Sequence, residues 1–369
     1  MAIGIYVHIP FCKQKCLYCD FNSYAGQETK IHQYCSALIK EIVSFNGEKD
    51  VDTIYFGGGT PTFIPAENLV QILNAIIEKF NVSDDAEITI ECNPGTIDKK
   101  GLKYLKESGF NRLSIGLQSA DDLMLKTLGR IHSFEDFCVC VKSAREAEFD
   151  NLSFDLMYAL PNQTMDIWKD TLDKVLKFNP EHISCYGLKI EEGTPFYYKK
   201  LNLPDEDLTC EMYDYLVKYL NINGYNRYEI SNFAKTDKES KHNLKYWKCY
   251  DFIGFGAGAY SCINNKRFSN CLSITEYCER IEKFEAVVNE EELTYNDLMS
   301  EFCFLGLRLK DGISVIDFKK RFNREIGDVF GEVIEKNIKR GTMIYENGRY
   351  FIHEKYVYVS NSIMCDFIL

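Results

Sequence analysis

The chain has 369 residues, 46% of them hydrophobic, with 43 Lys and Arg against 55 Asp and Glu for a net charge of −12. That is enough apolar material for a large α/β domain with an appendage, while the acidic balance argues against a broad nucleic-acid surface, which needs clustered Lys and Arg. No apolar run reaches the roughly 18 residues needed to cross a membrane, and the 15 cysteines are scattered through a long chain without a signal peptide, which reads as a reducing cytoplasm rather than a disulfide framework.

From the N-terminus, short β-branched runs alternate with longer helical patterns. Strands are predicted at residues 3–9, 53–56, 87–91, 112–116, 151–157 and 182–186. Helices are predicted at 28–45, 66–80, 98–108, 121–128, 134–148 and 164–177. Six βα units predict a parallel sheet with outer helices, an α/β fold closed only part-way to a barrel, with its chemistry at the C-terminal strand ends.

Past these units, 206–223 is an amphipathic helical pattern suited to packing. A charged loop then leads into His242-Asn-Leu-Lys-Tyr-Trp247, and Gly254-Phe-Gly-Ala-Gly-Ala-Tyr260 is expected to return the backbone towards the barrel mouth. From about Leu293 the pattern becomes two helices, 295–307 and 315–322, and a hairpin turning at Asn347-Gly348. This is a small α+β, winged-helix-like domain whose acidic setting favours a lid or partner surface over DNA. The expected division is 1–230 for the core, 231–290 for a connecting segment and 291–369 for the C-terminal domain.

The chemistry concentrates after the predicted strands. Cys12, Cys16 and Cys19 are spaced C-x3-C-x2-C directly after the first strand. A loop with these gaps can curl three sulfurs around one centre, and thiolates are the ligands of iron–sulfur clusters, normally four at a time. Three leave one iron of a 4Fe-4S cube without a protein ligand. The alternative is part of a zinc site, but zinc favours paired C-x2-C or Cys/His spacings and no second pair exists. After the second strand, Gly57-Gly-Gly-Thr-Pro-Thr62 lets the backbone approach a ligand closely. Glu91 ends the third strand in Glu91-Cys-Asn-Pro-Gly95, where a carboxylate can hold ribose hydroxyls or an amine. Gln118 ends the fourth, with Arg130 one short helix later, and Asp155 lies in the fifth, where an acid is costly unless paired or facing a ligand.

The cysteine spacing, with Tyr18 just before the last thiol, resembles the signature of the radical S-adenosylmethionine (SAM) superfamily. There the open iron is chelated by the amino and carboxylate groups of SAM, and an electron from the cluster splits the sulfonium. Together with GGGTPT, ECNPG, LSIGLQS, Gly129-Arg130 and DLMYALP, the stretch Tyr6-Val-His-Ile-Pro-Phe-Cys12 resembles the oxygen-independent coproporphyrinogen III oxidase family. The likeness runs from residue 3 to about 270 and more loosely beyond. It implies a partial (β/α)6 barrel, with Tyr6, Gly58, Gly59, Thr60 and Glu91 at the cluster-bound SAM. Tyr18, Gln118, Arg130 and Asp155 match positions that contact SAM or a second copy of it. Two departures matter: Phe21 stands where the oxidases carry a further cysteine, and this chain begins only five residues before Tyr6, where they carry an extension. Both match the heme-chaperone branch, HemW.

The resemblance therefore implies a cytoplasmic heme chaperone holding a 4Fe-4S cluster, SAM and heme, which hands heme to an acceptor protein and meets a membrane only peripherally, through that acceptor. The alternatives are coproporphyrinogen III oxidation to protoporphyrinogen IX, or radical SAM catalysis on another tetrapyrrole. The HNxxYW stretch is similar to a segment associated with heme in that branch. His242 is then either an axial ligand flanked by porphyrin-stacking aromatics or a histidine that holds a loop.

Overall fold

A computed structural model describes residues 2–283 and 285–369. Its spine is six parallel strands, β1 (Ile3–Ile9), β2 (Asp50–Gly58), β3 (Asn81–Cys92), β4 (Arg112–Gln118), β5 (Leu152–Tyr158) and β6 (His182–Gly187), hydrogen-bonded in that order. All six fall on predicted runs. β2 and β3 start earlier than expected because Asp50 and Val51 pair with Asn81 and Val82 ahead of the barrel proper.

Alternation sorts each strand into two faces. Ile5, Val7 and Ile9 of β1 are fully buried and share one apolar core with Leu38 and Ile42 of helix Ile31–Ser44 and with Leu69, Leu73 and Ile76 of helix Ala66–Lys79. The opposite face is polar and lines the barrel: Tyr6 and His8 on β1, Tyr55 on β2, Glu91 on β3, Ser114 on β4 and Asp155 on β5. Tyr6 stacks on Tyr55, Tyr55 donates to Glu91 and Ser114 donates to Asp155.

The connecting segment expected at 231–290 is instead built into the sheet. Asn232–Ala234 pairs antiparallel with β6, and Asn226–Arg227 lies beyond it. At the other end Phe252–Phe255 runs parallel to β1, followed outward by Tyr260–Ile263, Lys266–Asn270 and Val287–Glu292 to make twelve strands. Runs as short as Phe252-Ile-Gly-Phe255 lie below what periodicity detects, and their glycines read as loop. The C-terminal region has the two predicted helices, Tyr295–Gly306 and Val315–Phe322, and a third, Ile326–Lys339, that was not expected. Its hairpin turns at Asn347 and Gly348, both at positive φ as a type I′ turn requires, and Ile313–Ser314 adds a third strand.

Candidate functional site at the barrel mouth

Every strand-end motif singled out above, except the one containing His242, converges on the C-terminal end of the barrel. The cysteine loop leaves β1 and is pinned at its middle: Leu17 donates its N–H to Leu128 O at 3.0 Å, and its carbonyl accepts from Phe196 N–H at 3.0 Å. Leu17 and Tyr18 pack on the small cluster formed by Met124, Leu128, Met157, Leu160 and Phe196. The loop is thus held by the chain after β4 and after β6.

Beside it, β2 ends in the glycines. Gly59 N–H bonds Ile9 O at 2.9 Å and Thr60 N–H bonds Phe11 O at 2.8 Å, clamping the glycine turn to the root of the cysteine loop. A Cβ on Gly59 would sit 2.7 Å from Phe11 O and 2.9 Å from Cys12 Sγ, so only glycine lets the two loops touch. Gly58, at φ 118°, is packed by the His8 imidazole. His8 is itself fixed by Tyr6 OH at 3.1 Å and by Asn22 O at 2.8 Å.

Glu91 accepts from Tyr55 OH at 2.9 Å and from Gly58 N–H at 3.3 Å. Burial, and then the nearby Asp155, raise its pKa to about 7. Arg130 spends its N–H groups on Asn93 Oδ1 at 2.6 Å, Gly116 O at 2.5 Å and Cys16 Sγ at 3.5 Å. Asn93 in turn donates to Thr60 Oγ1 at 2.7 Å, so one chain of contacts runs from glycine turn to guanidinium to thiol. Asp155, whose pKa is also raised by burial, accepts from Ser114 at 3.0 Å. Gln118 is in the left-handed region at φ 71°, a conformation that costs about 1–3 kcal/mol for a residue with a Cβ.

The donor set fits an iron–sulfur cluster. Burial pushes the thiols of Cys12 and Cys19 up, so ionising them needs a cationic partner, and Arg130 supplies only one charge beside Cys16. Among the described residues no three Cys, His, Asp or Glu side chains close on a single-ion position.

His242 is not part of this assembly. It lies at the other end of the barrel on helix Lys241–Trp247, whose first turn is capped by Glu87 accepting from the N–H groups of Lys241 and His242 at 3.1 and 3.0 Å. Its ring stacks on Tyr55 and is 1% exposed. Nδ1 is 2.9 Å from Thr53 Oγ1 and Nε2 is 2.8 Å from Tyr246 OH, so both nitrogens are engaged. Burial, then Lys245, hold its pKa down at about 3. Trp247 lies against the Arg308 guanidinium, 4.3 Å from it, at the junction with the C-terminal region. The geometry matches a histidine that holds a scaffold, with no nitrogen offered to a heme iron.

Three mouth residues escaped the sequence reading: His8, Tyr55 and Asn93. The signal was present for the first two, since they share the inward face with Tyr6 and Gly57 by strict alternation. Asn93 stood inside a quoted motif but carried no charge to draw the eye.

Residues 6–175 match the family model described as Radical SAM superfamily, and residues 293–355 match that of the HemN C-terminal domain. The chain is 36% identical to the heme chaperone HemW of Lactococcus lactis over 368 residues, 99% of this chain and 97% of that protein. It is 37% identical to the heme chaperone HemW of Bacillus subtilis, covering 95% of each. Among solved structures it is similar to the coproporphyrinogen III oxidase HemN of Escherichia coli, a radical SAM enzyme. That likeness has a TM-score of 0.89 at 25% identity and covers 100% of this chain and 90% of the other.

Proposed function

The chain belongs to the heme chaperone HemW family within the radical SAM superfamily, and from that membership we propose that it is a heme chaperone: a cytoplasmic protein that binds heme and delivers it to an acceptor protein. Membership of the superfamily implies a 4Fe-4S cluster and SAM. Cys12, Cys16 and Cys19 would hold the cluster, which when bound would supply the electron for reductive chemistry on SAM. Gly58, Gly59 and Thr60 present backbone to the methionyl part, and Glu91 accepts from hydroxyl or amine groups. Arg130 donates to Cys16 Sγ, and Asn93 ties that guanidinium to the glycine turn. Tyr6 belongs to that same SAM site, and Tyr18, Gln118, Arg130 and Asp155 are assigned contacts to SAM or to a second copy of it. No helix of the described residues is long and apolar enough to cross a membrane.

The observation that carries this reading is the 36–37% identity to HemW heme chaperones over 95% or more of the chain. The convergence of three thiols, a glycine cradle, Glu91 and Arg130 at one end of the barrel supports its cluster and SAM sites. A second reading, oxidative decarboxylation of coproporphyrinogen III, is favoured by the full-length likeness to the oxidase structure. One experiment separates them: anaerobic reconstitution with SAM and a reductant, followed by heme titration, heme transfer to an apo-acceptor and analysis of porphyrin products. Heme uptake and transfer without protoporphyrinogen IX is expected. Protoporphyrinogen IX formed from coproporphyrinogen III overturns the chaperone reading.

A further inference from the structure

Two thiols outside the cluster loop face each other directly behind the site. Cys92 ends β3, and Cys140 lies on helix Phe134–Glu146, which packs on the outer face of the sheet through Phe137 against Phe154 of β5. Their sulfurs are 3.9 Å apart, and no other two thiols among the described residues share a hydrogen bond. We propose that hydrogen peroxide joins Cys92 to Cys140 in a reversible disulfide, and that closing this bond withdraws the SAM pocket. The inference rests on the placing of SAM against Glu91 and the glycine turn above.

Position couples the thiols to the pocket. Strand alternation turns Glu91 to the lumen and Cys92 to the helix layer, so one short stretch carries a ligand contact on one face and a thiol on the other. Glu91 accepts from Tyr55 and Gly58, and Asn93 on the other side of Cys92 bonds Thr60 at 2.7 Å and Arg130 at 2.6 Å. A disulfide holds its sulfurs about 2.05 Å apart, so the pair must close by about 1.9 Å from its present 3.9 Å. Even half of that movement, taken up by the strand end, stretches the bonds of Asn93 beyond the normal range of about 2.7–3.2 Å. The glycine turn and Arg130 then lose their common tie.

The two thiols have different parts in the reaction. A hydrogen bond from Cys140, then lesser ones from Thr62 and Thr96, hold the Cys92 thiol below its ordinary pKa in spite of burial, while the same contact pushes Cys140 up. Cys92 therefore ionises first and attacks. Its sulfur takes one oxygen as the O–O bond breaks, giving a sulfenic acid and, with the thiol proton, one water. Cys140 sulfur then attacks the sulfenic sulfur, and its proton leaves with the hydroxyl as a second water. Two electrons have passed from the sulfurs to the peroxide. Access suits a small oxidant. Both side chains are buried, but Thr62 and Thr96, bonded to each other at 2.7 Å, line an open groove of about 530 Å³ between the starts of helices Ala66–Lys79 and Lys99–Glu107. A peroxide in that groove is one hydroxyl layer from Cys92.

The test treats the anaerobically reconstituted full chain with graded hydrogen peroxide, quenches it with catalase, and compares wild type with Cys140→Ala and Cys140→Ser. Peptide mapping by mass spectrometry without reduction should find Cys92 joined to Cys140 in wild type. The SAM Kd of that sample should rise at least about tenfold and recover with dithiothreitol in the absence of added iron. A thiol alone does not rebuild a damaged cluster, so the part recovered by dithiothreitol reads the disulfide. Both variants should bind SAM as wild type does before peroxide and show no recoverable loss after it. Absence of the joined peptide would overturn the proposal, as would a joined peptide with unchanged SAM affinity. An equal recoverable loss in the variants would overturn it too, by moving the effect to other thiols. A reduced wild type that binds no SAM fails earlier, at the SAM site itself.

Discussion

The mouth and the floor of the barrel are both polar, yet they are built by opposite rules. At the floor the named groups are mutually satisfied: His242 with Thr53 and Tyr246, Lys245 with Asp52 and the carbonyl of Ala2, Glu87 with the helix N-terminus. At the mouth, polar groups sit on glycine turns and strained backbone, with Gln118 and Gly58 at positive φ and a carboxylate whose pKa is raised to about 7. The lesson is that polarity inside a barrel does not by itself mark a site. What marks it is polar chemistry placed where backbone is bare and conformations are costly.

The largest effect that tests this contrast is at the mouth. Cys16→Ala should abolish cluster assembly, leaving iron and sulfide near background after anaerobic reconstitution, because two thiolates cannot replace three. Cys92→Ala should leave the content unchanged. Although Cys92 follows Glu91, it is 2% exposed and its sulfur faces Cys140 at 3.9 Å, on the side away from the lumen. A fully loaded Cys16→Ala protein would remove the thiol triad from the site.

Next comes the floor. His242→Ala strands the Thr53 and Tyr246 hydroxyls in a dry interior, which should cost about 2–6 kcal/mol of stability at about 1–3 kcal/mol per unsatisfied group. The heme spectrum of whatever protein remains folded should be that of wild type. Thermal melting and heme titration of the same sample check both halves. A shifted Soret band with an unchanged melting point would move His242 from scaffold to ligand and erase the distinction between the two ends.

How much of this was legible in the sequence follows the same division. The strands of the barrel and the cysteine loop were readable because alternation and ligand spacing are local signals. The edge strands were not: Phe252–Phe255 is short and glycine-interrupted, and pairs with β1 across about 250 residues of chain, so its assignment rests on tertiary contact alone. Depth was equally hidden. Glu91 ends a predicted strand and is therefore placed at the mouth, but nothing in the immediate neighbours of His242 says which end of the barrel it faces. That distinction arises from Glu87, which draws the start of helix Lys241–Trp247 under the barrel.

The smallest effect is also the most specific to the mouth, and it concerns Glu91. Glu91→Gln keeps a polar group of the same shape and should weaken SAM binding by about 1–3 kcal/mol, the range for a partner left poorly paired in a closed site. The variant should also flatten a pH dependence. An unfolded glutamate titrates near about 4.3, whereas burial and Asp155 raise Glu91 to about 7 in the fold. The fold therefore favours the protonated acid. Its contribution to stability is present in full below about pH 4.3, fades as the pH rises and is gone above about pH 7. Cluster-free wild type should thus lose more melting temperature between pH 5 and pH 8 than Glu91→Gln does. A ligand that donates hydrogen bonds to Glu91 favours the ionised form. SAM binding near pH 6 should consequently release a proton from wild type and not from the variant, which calorimetry in two buffers of different ionisation enthalpy would reveal. Equal proton release from both proteins would show that Glu91 does not face the ligand, leaving the glycine turn and the thiols to hold SAM without it.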